Sequence, residues 1–116
     1  MSFDIIVIRP LDAAVADISE VAEVLPLGSV DAVSEAFNDV FAGSRDGIFV
    51  ESDGYAFEIS LSGEPVTSVH IALRFGNSDA VEIRNQFLGR LTTVCNALGA
   101  IAFAVSDNSR LAPELP

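Results

Sequence analysis

His70 is the only histidine of the chain, and it stands in "GYAFEISLSGEPVTSVHIALRF" (Gly54 to Phe75), where apolar and polar residues alternate through two runs. In extended chain, alternate residues share a face. Tyr55, Phe57, Ile59 and Leu61 then point one way, joined by Val69, Ile71, Leu73 and Phe75. The opposite side carries Ala56, Glu58, Ser60, His70, Ala72 and Arg74. A turn centred near Glu64 and Pro65 sets Ser60 opposite His70, with Glu58 one step from both His70 and Ala72. Carboxylate, imidazole and hydroxyl are the side chains of nucleophilic catalysis. That chemistry also needs a strained or capping position for the nucleophile, an orienting group for the base, and oxyanion donors. Ser60, in mid-strand with no Gly-rich loop beside it, has none of these in the sequence. No catalytic residue is assigned.

Other chemistries are limited by the same inventory. One cysteine, Cys95, cannot form an internal disulfide, and with one histidine it leaves too few soft ligands for structural zinc. Asp46, Asp53 and Asp79 lack the spacing of a calcium loop. No metal and no cofactor is expected. The open face reads instead as a wet surface with cross-strand pairs, Glu58 against His70 or Arg74, or as a surface that receives a partner.

The elements that position this face follow from periodicity. "FDIIVI" (Phe3 to Ile8) is apolar on both parities, as a strand buried on both faces would be, and Arg9-Pro10 ends it. "LDAAVADISEVAEVL" spaces Val15, Ile18, Val21 or Ala22, and Leu25 as a first helix, with Asp12 near its start and Pro26 stopping it. Ser29 caps a second helix with the stripe Val30, Val33, Phe37 and Val40 or Phe41, and Gly43 ends it. "GIFVESDGYAFEISL" reads as a hairpin about a two-residue Asp53-Gly54 turn. In that register Ser52 opposes Tyr55, Val50 opposes Phe57 and Ile48 opposes Ile59. Ile48 and Val50 would be buried, while Phe49 and Glu51 would join the open face. Asn77 to Asp79 cap a third helix, Asp79 and Glu82 having capping-box spacing. Its stripe is Ile83, Phe87, Leu91, Val94 and Leu98, and Cys95 beside it reads as a buried, inert thiol. "AIAFAV" (Ala100 to Val105) is a last strand, and "SDNSRLAPELP" has turn and tail composition.

The expected fold is a single-domain α+β sandwich over residues 1–108, with 109–116 as a C-terminal tail. An about five-stranded, mainly antiparallel sheet carries three helices largely on one face, in the order β-α-α-β-β-β-α-β. The candidate partner-binding residues are Phe49, Glu51, Glu58, Ser60, His70 and Arg74, with Phe49 as the apolar anchor among small residues.

Charge points to the kind of partner. Seventeen acids face six basic residues, all of them arginines, for a net charge of −11. With no basic patch to neutralise phosphates, direct nucleic-acid binding is not expected. A basic protein partner would be steered electrostatically. Asp31, Glu35 and Asp39 recur every four residues on the second helix and form a secondary candidate contact. No apolar run approaches a membrane span, and no basic region precedes "IIVI", so a cytoplasmic protein without membrane contact is expected.

The hairpin "GIFVESDGYAFEISL", the passage "VTSVHIALRFGNSDA" and the closing "ALGAIAFAVSD", in a short acidic chain, resemble small bacterial immunity-type proteins encoded beside polymorphic toxins. These include partners of contact-dependent inhibition and type VI effectors. The likeness spans roughly Gly47 to Asp107 and brings no defined site residues. It implies a compact stoichiometric inhibitor without chemistry of its own, acidic where the cognate toxin domain is basic. The alternatives are a small ligand-binding domain or enzyme using Glu58, His70 and Arg74, and a regulatory subunit whose open face forms a homodimer.

Overall fold

A computed structural model describes residues 2–44, 47–51, 55–75 and 80–113. Among them the chain is α+β. Strand β1 (Ser2–Pro10) is followed by a 3-10 turn (Ile18–Glu20), β2 (Val24–Leu25) and helix α1 (Val30–Val40). Strands β3 (Ile48–Glu51), β4 (Tyr55–Ser62) and β5 (Ser68–Phe75) then lead to helix α2 (Ala80–Leu98), β6 (Ile101–Ala104) and β7 (Arg110–Ala112). The sheet runs β3-β4-β5-β1-β6-β7, with β2 on the end of β1. Every pairing between these strands is antiparallel.

Both α-helices pack on one face of the sheet. Val33 and Phe37 of α1 meet Phe87, Leu91 and Val94 of α2 over Ile5, Val7, Phe57, Ile71 and Leu73. The stripe expected for the long helix is buried at Phe87, Leu91 and Val94; the side chain of Ile83 and the expected caps at 77–79 lie outside the described residues. Ser29 caps α1 as its type suggests, its hydroxyl accepting the Ala32 N–H at 3.1 Å. At the other end of α2, Gly99 takes φ +65, and the Ala100 N–H reaches back to the Cys95 carbonyl at 2.8 Å. This left-handed closure suits glycine and satisfies a carbonyl that the helix leaves open.

The segment expected as a first helix is not helical. Residues 11–23 run irregularly, with one 3-10 turn, across the second face of β1 and β6. There Val15, with Ile18 and Val21, covers Ile8, Ile101 and Phe103. Two things defeat the helix. Aspartates form local turns that compete with it: Asp12 accepts the Ala14 N–H, and Asp17 accepts both N–H and O–H of Ser19. The segment's backbone is also claimed from outside, since Arg110 donates to the carbonyls of Ala13 and Val15, and Ile18 N–H to the Asn108 carbonyl. Of those partners, Arg110 comes from the stretch expected to be a tail and Asn108 from the turn just before it. Residues 110–112 instead form β7 on β6, and Ala112 is fully buried.

The first hairpin has a different register from the one expected. Ile48 pairs with Glu58, Phe49 with Phe57, Val50 with Ala56 and Glu51 with Tyr55. Three residues rather than two separate the paired ends, and the Asp53-Gly54 turn itself lies outside the described residues. A shift of one residue exchanges the faces of a strand. Phe49 is therefore buried, whereas Ile48 and Val50 are 57% and 70% exposed. The cause is aromatic packing. Phe49 joins Phe41, Tyr55, Phe57 and Phe87, with ring centroids 4.9 to 6.1 Å apart. A phenylalanine gains more from this site than a valine would, through greater apolar area and through edge-to-face contacts.

Candidate functional site: the open face of strands β3, β4 and β5

Residues 11–23 cover β1 and β6, and among the described residues the second face of the sheet is open over β3, β4 and β5. Across β4 and β5 Ser60 lies opposite His70 as expected, whereas Glu58 lies directly opposite Ala72 rather than one step from it. Glu58, Ser60, His70 and Arg74 are all exposed, and Ala56 and Ala72 between them are half-buried. Phe49 is not on this face. Its place as apolar centre is taken by Ile48 and Val50, which lie with Ala56, Glu58, Ala72 and Arg74 around a shallow depression. The side chain of Glu51 is outside the described residues. The strict alternation on β4 and β5 fixed four of the six candidates, and the hairpin register misplaced the anchor.

The structure adds Asp4, which no local pattern singles out, because the pairing of β1 with β5 is long-range. Asp4 opposes Ala72 and lies diagonally from His70, and its Oδ1 is 3.4 Å from His70 Nε2. Ser60, His70 and Asp4 thus run across three neighbouring strands in the order hydroxyl, imidazole, carboxylate. Asp4 and His70 are 45% and 48% exposed, so their attraction is screened by water, and it is full only when the imidazole is protonated. Among the described residues no hydrogen bond joins His70 to Ser60. The chemistry offered is charge pairing and hydrogen bonding at a wet surface.

The secondary candidates Asp31, Glu35 and Asp39 are exposed on α1. Other carboxylates do turn chemistry. Asp17 and Asp107 each accept the N–H and O–H of the serine two residues on, which holds both carboxyls below the usual carboxylate range. No group of three or more metal-ligating side chains gathers among the described residues. The thiol of Cys95 is buried, and burial pushes it up to about 12. A thiol so held is neutral and a poor nucleophile. Among the described residues no helix is long and apolar enough to cross a membrane.

Comparison with family models, with curated proteins and with solved structures found no match.

Proposed function

We propose that this chain is a non-enzymatic binding protein, an immunity-type inhibitor that neutralises a basic toxin or effector domain by stoichiometric binding through the open face. The observation that carries this reading is the exposure of Ile48 and Val50 on the edge strand β3, beside small Ala56 and Ala72, with Glu58, Arg74, His70 and Asp4 on the strands next to it. Apolar side chains that a partner can desolvate, next to polar groups that can pair with it, are what a protein interface uses. The net charge of −11 supports a basic partner, whose approach it would steer. The resemblance of the hairpin and the strand-to-helix passage supports an immunity role.

The reading predicts that the adjacent gene encodes a protein ending in a basic domain which binds this chain one to one. The association rate of the purified pair should fall at least about tenfold between about 50 and about 500 mM salt, with a smaller change in dissociation. Absence of any complex, or an on-rate indifferent to salt, would contradict it.

A further inference from the structure

The sheet ends in two outer edges, and they are built differently. The β7 edge is blunted. Its pairing with β6 slips between Ala102 and Phe103, Pro113 follows it directly, and the Arg110 side chain folds back to donate to the Pro113 carbonyl at 2.6 Å. The β3 edge has none of these devices. Ile48, Phe49, Val50 and Glu51 run in unbroken register with β4, with no proline and no basic residue among them. Among the described residues β4 is the only strand beside β3.

The phase of the ladder shows what β3 offers on its outer side. The Ile59 N–H donates to the Gly47 carbonyl at 2.7 Å, in the register that next pairs Ile48 with Glu58. In an antiparallel ladder, hydrogen-bonded pairs alternate with unbonded ones. Phe49 with Phe57 and Glu51 with Tyr55 are therefore bonded pairs, and the N–H and C=O groups of Ile48 and Val50 point away from β4. These same two residues carry the exposed aliphatic side chains. Main-chain donors and acceptors in the plane of the sheet thus stand beside apolar side chains on its open face. Water satisfies the first and not the second. A helix bonds its own main chain and offers none to the edge. An extended segment meets both needs, since its main chain continues the ladder while alternate side chains lie against Ile48 and Val50.

Charge narrows the occupant. Neither β3 nor β4 has a basic residue, and their acids are Glu51 and Glu58, the latter exposed opposite Ile48. A second copy would bring its own net charge of −11 to this edge, whereas a cationic segment is attracted to it. We infer that the β3 edge takes an extended, basic and aliphatic segment of the partner as an added antiparallel strand, with aliphatic residues opposite Ile48 and Val50. This rests on the reading of a basic protein partner at the open face, and it gives that contact a main-chain geometry.

The probe is a short capped peptide alternating lysine and valine, with a glutamate–valine peptide of the same length as its anionic counterpart. In an amide chemical-shift titration of the intact chain, the lysine peptide should move Ile48 and Val50 saturably. Hydrogen exchange should slow at those two N–H groups and change little at Phe49, which β4 already holds. With valines opposite Ile48 and Val50 in an antiparallel pair, the valine N–H groups face β3 and the lysine N–H groups face away. N-methylation of the valine nitrogens should therefore weaken binding at least about tenfold, and N-methylation of the lysine nitrogens should change it by less than about twofold. The glutamate peptide should bind at least about tenfold more weakly than the lysine peptide. The chain itself is unaltered in every comparison, so no folding defect enters. Absence of saturable shifts, or equal affinity of the two methylated peptides, would overturn the added strand and leave a basic partner docked through side chains. Equal affinity of the lysine and glutamate peptides would overturn the basic occupant, and with it the reading of a basic partner. Slow exchange at Ile48 and Val50 before peptide is added, with a sedimentation mass twice that of the chain, would overturn the inference in favour of a second copy.

Discussion

Arg90 reaches from α2 to two other elements at once. Its guanidinium donates to the Tyr55 hydroxyl at 2.7 Å and to the Val40 carbonyl at 2.8 Å, and it lies over the rings of Phe41 and Phe49. The Val40 carbonyl is one that the end of α1 leaves open, so a cation there also suits the helix dipole. Lysine can keep the charge but not the fork. Arg90→Lys should therefore cost about 1–2 kcal/mol in urea unfolding, and Arg90→Ala about 3. A lysine variant as stable as the parent would show that the fork is dispensable. Cys95 gives a pH prediction. Its folded value lies near 12, above the ordinary 9.0, because burial opposes the thiolate. Below pH about 9 the thiol is protonated whether folded or not, and its contribution is intact. Between about 9 and 12 only the unfolded chain ionises, so stability falls as pH rises, by up to roughly 1.4 kcal/mol per pH unit. Cys95→Ala should lose less stability than the parent across that window. Parallel pH profiles for the two proteins would contradict the assignment.

At the scale of elements, the long-period patterns were legible and the local turn chemistry was not. The alternation from Tyr55 to Leu73 placed both faces of β4 and β5, and the stripe Phe87, Leu91, Val94 placed α2, because each residue there has one face it can occupy. The apolar runs "FDIIVI" and "AIAFAV" signalled burial on both sides without showing what covers the second side. The cover is the segment 11–23, whose apolar spacing resembles a helix, while Asp12, Asp17 and the distant Arg110 hold it otherwise. No local signal could reveal that Arg110 would arrive from the end of the chain. The Asp53-Gly54 dipeptide argued for a two-residue turn, yet the aromatic cluster decided the register of β3. Truncation tests this directly. Phe49→Ala should destabilise by about 3–5 kcal/mol, and Val50→Ala by no more than about 0.5. Thermal or urea unfolding in which the two costs were exchanged would restore the other register.

Among the described residues, the helices close one face of the sheet and the segment 11–23 closes part of the other, leaving that face of β3, β4 and β5 exposed. The excess acid is spread widely, on α1, on the loops and on the sheet, so charge alone does not choose an interface. Desolvation does. The polar face of α1 has Asp31, Glu35 and Asp39, whereas the sheet has Ile48 and Val50 exposed on its edge strand beside Glu58 and Ala56. If the proposed basic partner domain is found, the dissociation rate of its complex with this chain separates the two surfaces. The pair Ile48→Asp, Val50→Asp should raise it at least about 100-fold without unfolding the chain. Reversal of Asp31, Glu35 and Asp39 to lysine should slow association by less than about tenfold and leave dissociation nearly unchanged. A helix reversal that speeds dissociation 100-fold, with the sheet pair leaving it as it was, would contradict the assignment of the open face as the docking surface.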